Sequence, residues 1–324
     1  MRKYGITTLT VVTISLLIAP WSVATQTNFS RSAQPTAIQY SYTWLDETRK
    51  PHQLTFALDR DAIATLPTTQ RSYQPTIAQR HVIVSLYHHA RTYDPREVRV
   101  DIKPHGETID ITVASRFPEK IAEYQRDMRE QEKAAFAEYL YKNYYEQYQT
   151  RFNENAIKPD HIRYIQESTR ALIPLSQALY EQLDQQSDAR NYINLLLGWI
   201  QSIPYSTLED RIETNGSGFL PPITLLNQNK GDCDSKSVLA AAIIRAFLPN
   251  VPMKMVLLRD HALLAISLTV KGDDESLMID GIPFVLLEPT GPLQLPLGQI
   301  GDTTLLAIQQ GGYTTQTIPV LTLN

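Results

Sequence analysis

One cysteine stands in a sequence context that could carry out nucleophilic chemistry. Cys233 is the only cysteine of the 324-residue chain and lies in the segment Gly231-Asp-Cys-Asp-Ser-Lys-Ser237. The apolar spacing from Val238 to Phe247 predicts a helix that begins at or beside it. A helix N-terminus is the positive end of the helix dipole, which lowers a thiol pKa, and its free N–H groups can bind an oxyanion. We therefore predict that Cys233 is a nucleophile and a thiolate at neutral pH.

A thiol nucleophile needs a base, and the base needs a group that orients it. His261 is the only histidine that follows the cysteine, and it stands at the start of a predicted strand. The next apolar strand, Phe284 to Leu287, ends at Glu288, whose carboxylate would complete a Cys-His-Glu set. Asp280 competes for this third position, but Asp280-Gly281 is typical of a type I′ hairpin turn at the opposite end of the strand.

Two carboxylates flank the cysteine and oppose the formation of a thiolate. Asp232 and Asp234 need cationic partners to relieve this repulsion, and Lys236 and Arg259 are candidates for that pairing. Asp232 and Asp234 are themselves possible supporting groups of the site. The alternative for Cys233 is a buried and inert thiol, which is how most free cysteines behave.

The order of these motifs resembles that of the bacterial transglutaminase-like superfamily, which is related in architecture to papain-like proteases. The matching segments are the cysteine motif, His261 on a strand, Ile200-Gln-Ser-Ile-Pro-Tyr205, Phe219-Leu-Pro-Pro222 and Leu287-Glu-Pro-Thr290. The resemblance covers roughly residues 188–302 and implies a nucleophile helix packed on an antiparallel sheet. It implies acyl transfer by Cys233, His261 and Glu288, where family members commonly have aspartate in the third position. It also implies that a side chain near Gln201 supports the oxyanion hole.

The fold class predicted for the whole chain is α+β, in five segments. Residues 1–24 read as a signal peptide and residues 25–37 as a polar leader. Residues 38–116 alternate like strands around a helical stretch and predict a small β-β-α-β-β module. Residues 117–158 predict a long connecting helix, and residues 159–324 the transglutaminase-like (papain-like) domain that the resemblance implies.

Two helices are predicted between that connector and the cysteine. Residues 160–183 have helical periodicity, which Pro174 would bend because proline cannot donate a backbone hydrogen bond. Residues 189–202 form a second helix that Ser187 or Asp188 can cap. Its run of large apolar side chains leaves little polar surface, so we expect it to be buried.

The N-terminal segment is typical of an exported protein. Arg2 and Lys3 precede the apolar stretch Ile6–Trp21, and Ser22-Val-Ala24 provides the small residues of a cleavage site. A membrane anchor is the alternative, but four threonines, a serine and a proline interrupt the stretch. We expect cleavage near Thr25, a periplasmic or extracellular location, and no stable membrane insertion after cleavage.

The net charge and the spacing of the histidines argue against nucleic acid and metal ions as partners. The formal net charge of −4 gives no basic excess for binding nucleic acid. His88 and His89 are adjacent, so they point to different faces of a helix and do not make a zinc-like pair. We expect no cofactor or metal, and a protein or peptide substrate whose amide is hydrolysed or transferred to an amine. The alternative from another functional class is a catalytically silent interaction module.

Overall fold

The protein is described by a computed structural model for residues 25–150, 153–208 and 218–321. It is a mixed α and β protein with antiparallel sheets, as the sequence predicts. The signal peptide predicted for residues 1–24 lies outside the described residues, so its cleavage stays a prediction. Within the described part of the chain, no helix is long and apolar enough to cross a membrane.

The described elements follow one another in a mixed order. The strands are β1 (Thr25–Ala33), β2 (Ala37–Leu45), β3 (Pro51–Asp59), β4 (Val98–His105), β5 (Thr108–Ser115), β6 (Tyr145–Gln149), β7 (Asn155–Pro159), β8 (Met253–Leu258), β9 (Ala262–Ile266), β10 (Ser276–Ile279), β11 (Ile282–Leu287) and β12 (Tyr313–Ile318). The helices are α1 (Arg60–Ala64), α2 (Pro75–Ala90), α3 (Ile121–Lys142), α4 (His161–Thr169), α5 (Ile173–Tyr180), α6 (Ala189–Ser202), α7 (Pro222–Gln228), α8 (Cys233–Phe247) and α9 (Asp302–Gln309). A single 3₁₀ turn, Pro118–Lys120, precedes α3.

The first three strands form an antiparallel sheet in the order β1-β2-β3. Alternate side chains of β2 and β3 are buried, namely Tyr40, Tyr42, Trp44, Leu54, Phe56 and Leu58. They share one hydrophobic core with α5, α6 and α8, where Trp199 packs edge-on to Tyr42 at a ring-centroid distance of 5.3 Å. The predicted module 38–116 is therefore divided, because its first two strands cover the core around the cysteine helix.

The prediction that residues 25–37 are a polar leader outside the fold is wrong. Residues 25–33 form β1, which pairs with β2 along its length. The strand lies at the edge of the sheet, and Phe29 is its one apolar side chain that packs against the core. An edge strand in which most side chains face solvent has no apolar alternation, which explains why its sequence resembles a leader.

A second, smaller core lies in the α2–β4–β5–α3 region. The β4–β5 hairpin pairs from Val98 to Ser115, as its alternation predicts. Its inner side chains pack against α2 and α3 through a separate cluster that contains Val82, Leu86, Ile102, Ile109 and Met128. The hairpin and the two helices therefore form a unit with its own apolar contacts.

The connecting helix is shorter than the predicted span of 117–158. Helix α3 ends at Lys142, where the side chain of Asn143 donates to the Tyr139 carbonyl oxygen at 2.8 Å. Tyr144 then adopts a φ of +56°, which breaks the helix, and the chain enters the β6–β7 hairpin. The tyrosines of this region fit both helical spacing and strand alternation, so sequence periodicity alone predicts the wrong element.

The helices before the cysteine follow the predicted pattern in part. Residues 160–183 are two helices, α4 and α5, rather than one bent helix, and Pro174 lies in the first turn of α5. Helix α6 has the predicted bounds, and the Asp188 side chain caps it by accepting from the Asn191 backbone N–H at 3.0 Å. Most of its side chains are buried, as expected.

The cysteine helix α8 packs on a five-stranded antiparallel sheet. The strand order is β10-β11-β9-β8-β12, which places β9 in the centre. Ala240, Ala241 and Ala242 are fully buried, and such small side chains allow close approach of neighbouring elements. The Ser237 hydroxyl donates to the Ala262 carbonyl oxygen at 3.1 Å, which ties the first turns of α8 to the start of β9.

The chain after β11 passes close to the end of α6. A Cβ atom on Gly291 would lie 2.3 Å from the backbone oxygen of Gln201, and Gly291 has a φ of +63°. Gly106, at the tip of the β4–β5 hairpin, has a similar φ of +57° but open space around its Cα.

We predict that Gly291→Ala is far more destabilising than Gly106→Ala. The positive φ should cost each variant about 1–2 kcal/mol of unfolding free energy. The steric overlap in Gly291→Ala should cost a further ~1–3 kcal/mol. Urea unfolding of both variants measures the difference, and equal losses would contradict the close packing of Gly291 on α6.

Candidate functional site

Cys233 is the first residue of α8, as the sequence predicts. Asp232 caps the helix, because its side chain accepts from the Ser235 backbone N–H at 3.0 Å. The cysteine is 8% exposed and therefore mostly shielded from solvent. The backbone N–H of Ala262, the first residue of β9, hydrogen-bonds the Cys233 sulfur.

The predicted base and carboxylate are in direct contact. The Nε2 atom of His261 lies 2.9 Å from the Oε1 atom of Glu288. The other carboxylate oxygen of Glu288 accepts from the Gly301 backbone N–H at 2.9 Å. Strand pairing explains this meeting: Leu287 is opposite Leu264, so the end of β11 lies beside the start of β9.

Asp280, the competing carboxylate, lies at the other end of β11. It forms the turn between the paired residues Ile279 and Ile282, and its φ is 52° while that of Gly281 is 77°. These two positive φ values are those of the predicted type I′ turn. Glu288 is therefore the carboxylate that contacts His261.

Cys233 and His261 line one cavity of about 600 Å³. Its wall consists of Tyr148, Thr150, Lys158, residues 232–234, residues 257–261 and residues 312–314. A second cavity of about 480 Å³ reaches Glu288 and Thr304 on the other side of the turn that carries His261. Because Glu288 occupies Nε2 of His261, Nδ1 is the ring nitrogen that remains for proton transfer.

The thiolate predicted for Cys233 does not fit its surroundings. Burial raises the pKa of the Cys233 thiol, and the charges of Asp234 and Asp232 raise it further. The thiol also donates to Oδ1 of Asp234 at 3.4 Å. The hydrogen bond from Ala262 acts in the opposite direction but is outweighed. Burial and the neighbouring carboxyl groups outweigh the helix dipole, which equals about half an elementary charge, so the raised pKa favours a neutral thiol at rest.

The two carboxylates are themselves shifted. Burial, followed by the charge of Asp234, raises the pKa of Asp232 to about 7. Burial also raises the pKa of Asp234, against the lowering effects of its thiol hydrogen bond and of the Lys158 and His261 charges. At neutral pH, therefore, the site does not hold two fully ionised carboxylates beside the sulfur.

Neither cation suggested by the sequence forms an ion pair with Asp234. Lys236 is fully buried and donates to the carbonyl oxygens of Ile203 and Thr290 at 2.5 and 2.6 Å. Burial lowers the pKa of Lys236 to about 7, although the charge of Asp232 opposes this. Arg259 is exposed and lies 3.7 Å from Asp260 on the same turn.

The oxyanion role predicted for Gln201 does not fit its contacts. Its Nε2 atom donates to the carbonyl oxygens of Glu288 and Leu295 at 2.9 and 2.8 Å. These two bonds use both hydrogens of the amide group, and its oxygen accepts from the Leu295 N–H. Gln201 is 2% exposed, so it positions the backbone of Glu288 and has no donor left for a substrate.

The surroundings of Cys233 include side chains that the sequence did not indicate. Tyr148 and Lys158 come from the β6–β7 hairpin, in the region predicted to be helical. His161, at the start of α4, lies behind the cavity with Nε2 3.4 Å from Oδ2 of Asp234. The Pro-Asp-His sequence of residues 159–161 signals a capped helix but does not indicate a contact with the cysteine motif.

No group of three or more His, Cys, Asp or Glu side chains in residues 25–150, 153–208 and 218–321 is placed to hold a metal ion. His89 instead contacts Asp127 of α3 at 2.9 Å, which ties α2 to α3. Comparison of the chain with protein-family models, curated proteins and solved structures found no match.

We predict that Asp234→Asn makes Cys233 more reactive. Loss of the neighbouring carboxylate removes one cause of the raised thiol pKa, so the midpoint of iodoacetamide alkylation should move to lower pH. Each pKa unit corresponds to about tenfold in thiolate population at neutral pH. Mass spectrometry can follow the reaction without ambiguity because Cys233 is the sole cysteine. Asp280→Asn, at an exposed turn whose φ asparagine tolerates, should leave the midpoint unchanged; a shared shift would contradict a local effect.

Proposed function

We propose that the protein is a cysteine-dependent acyl-transfer enzyme of transglutaminase-like arrangement, with Cys233 as nucleophile, His261 as base and Glu288 as the residue that orients the base. The observation that carries this proposal is the 2.9 Å contact between His261 and Glu288 beside a cavity that also contains Cys233. The position of Cys233 at the N-terminus of α8, with α8 packed on an antiparallel sheet, gives it further support.

The first step transfers one proton and forms one bond. Nδ1 of His261 accepts the thiol proton as the Cys233 sulfur attacks the carbonyl carbon of an amide. Glu288 stabilises the imidazolium through its bond to Nε2. His261 then gives the proton to the amide nitrogen, the C–N bond breaks, the amine leaves, and a thioester remains on Cys233.

The raised pKa of Cys233 affects how this step proceeds. A neutral thiol must lose its proton during the attack, so general-base assistance from His261 is required rather than a preformed ion pair. The backbone N–H groups of Cys233 and Asp234, in the first turn of α8, have no intrahelical acceptor and would stabilise the oxyanion. They take the role first assigned to Gln201.

The second step consumes the thioester. Water, activated by Nδ1 of His261, attacks the carbonyl carbon, the C–S bond breaks, and the sulfur recovers its proton. An amine at the same position would give transamidation instead. We propose hydrolysis of a peptide or isopeptide amide, because water is the default acceptor in the exported compartment that the N-terminal sequence predicts.

One observation favours a second candidate function. Cys233 is 8% exposed and its thiol pKa is raised, which are properties of an inert buried cysteine. A catalytically silent module that binds a protein partner would have no need of general-base assistance. The two functions differ in whether reaction at Cys233 depends on His261 and Glu288.

We predict that Glu288→Gln slows alkylation of Cys233 at neutral pH by about 10²-fold, the contribution of a positioned base. Glutamine can still bond His261 but cannot stabilise the imidazolium. Asp280→Asn is the matched control and should react like the wild type. Equal rates for all three proteins would favour the silent module.

The reaction itself is tested with peptide libraries in the presence and absence of a fluorescent primary amine. Cleavage that Cys233→Ala abolishes would support hydrolysis, and Cys233-dependent labelling of glutamine peptides would support transamidation. Absence of both, together with an alkylation rate that does not depend on Glu288, would contradict the proposed enzyme.

A further inference from the structure

A buried histidine lies behind the cavity and has no part in the mechanism above. His161 is fully shielded from solvent, and its ring lies against Phe219 with centroids 5.1 Å apart. Within the described part of the chain, its Nε2 atom has no hydrogen-bond partner. A buried polar atom without a hydrogen-bond partner is rare in native proteins and calls for an explanation.

The tautomer of His161 follows from its neighbour Lys158. The Nζ atom of Lys158 lies 3.4 Å from Nδ1 of His161. An ammonium can only donate, so Nδ1 accepts and the ring hydrogen is on Nε2. Burial lowers the pKa of His161 well below its ordinary value, and the charge of Lys158 lowers it further, so the ring is neutral. His161 thus presents an N–H donor to Oδ2 of Asp234, 3.4 Å away.

Lys158 is itself fixed by a polar network. It forms an ion pair with Glu146, its neighbour across the β6–β7 hairpin, and donates to Oε1 of Gln316 on β12 at 3.1 Å. Gln316 in turn donates to the second carboxylate oxygen of Glu146 at 2.6 Å. Contacts with Glu146 of β6 and Gln316 of β12 therefore fix the Lys158 amino group that faces His161.

Asp234 stands between this network and the nucleophile. Its Oδ1 atom accepts the hydrogen bond of the Cys233 thiol at 3.4 Å, while its Oδ2 atom faces the Nε2–H group of His161. The other charged or titratable groups that act on Asp234 are Asp232, Lys158 and His261. A movement of Asp234 of less than about 1 Å toward His161 would complete a normal hydrogen bond and weaken the one to the thiol.

We propose that Asp234 is a latch on the nucleophile: it holds the Cys233 thiol at rest, and His161, oriented by Lys158, draws it away when the thiol passes to His261. This regulation rests on the proposed function. In this scheme the side chains of Asp234 and His161 are positioning groups, because they act through the Cys233 sulfur and do not touch the substrate. The Asp234 side chain thus has two alternative contacts: the Cys233 thiol, which it binds at rest, and the Nε2–H group of His161, which has no hydrogen-bond partner among the described residues.

The test compares alkylation by an uncharged chloroacetamide, as a function of pH, in the wild type, His161→Phe, Asp234→Ala and the double variant. Phenylalanine preserves the ring contact with Phe219 but removes both nitrogens. Without His161, Asp234 stays on the thiol, so alkylation should slow by about tenfold at neutral pH and its midpoint should rise. In the Asp234→Ala background, His161→Phe should have no further effect, because no side-chain oxygen remains at position 234 to hold the thiol.

The control is His81→Phe. His81, on α2, also has an Nε2 atom without a hydrogen-bond partner among the described residues, but it packs beside Tyr139, away from the cavity. Its replacement should leave the rate unchanged. If His161→Phe does not fold, Lys158→Met removes the donor that sets the tautomer of His161 and should reproduce the effect, again only while Asp234 is present.

Two outcomes would overturn the latch. One is a His161→Phe rate equal to that of the wild type, and the other is the same slowing with and without Asp234, which indicates a general packing defect. Glu288→Gln separates this result from a failure of the proposed function. If alkylation of Cys233 is slower in Glu288→Gln than in the wild type but unchanged in His161→Phe, the latch alone is wrong. If alkylation is as fast in both variants as in the wild type, both the latch and the proposed function are wrong.

Discussion

The buried amino group of Lys236 joins the three segments on which the site depends. It projects from the first turn of α8 and donates to Ile203, at the end of α6, and to Thr290, two residues after Glu288. The contact therefore fixes the start of the cysteine helix relative to the strand end that carries the carboxylate. Burial lowers the pKa of Lys236 and so opposes its charged form. The contact is nevertheless favourable, because the buried carbonyl oxygens of Ile203 and Thr290 each need a hydrogen-bond donor. Gln201 adds a second tie by holding the backbone of Glu288 and Leu295.

Around this frame, burial favours uncharged groups near the sulfur. The carboxylates of Asp232 and Asp234, the buried Lys236 and the thiol of Cys233 all have pKa values shifted toward their neutral forms by burial. Glu288 is the exception: burial opposes its ionisation, but the hydrogen bond and charge of His261 hold its pKa below the ordinary value. The ionised group of the site is thus the Glu288 carboxylate, which contacts Nε2 of His261, and not the Cys233 sulfur. Under the proposed function, this separation makes proton transfer part of the attack.

The parts of this arrangement that sequence could predict are those with local signals. The start of α8 near Cys233 follows from an apolar helical face, and the turn at Asp280 follows from its dipeptide. The remaining features depend on tertiary contacts. Strand β1 shows no alternation because it lies at an edge, and the β6–β7 hairpin continues a helical pattern. The thiol pKa of Cys233 and the role of His161 depend on burial, which spacing along the chain does not encode.

The central claim is that His261, oriented by Glu288, makes the neutral thiol of Cys233 an acyl acceptor. Single-turnover acylation by a p-nitrophenyl ester tests it most directly, with nitrophenolate release giving the rate and mass spectrometry locating the thioester. We expect one hydroxylamine-sensitive acyl group on Cys233 and a rate that falls by about 10²-fold or more in His261→Asn. A rate that His261→Asn leaves unchanged, or a wild-type thiol that forms no thioester, would contradict it.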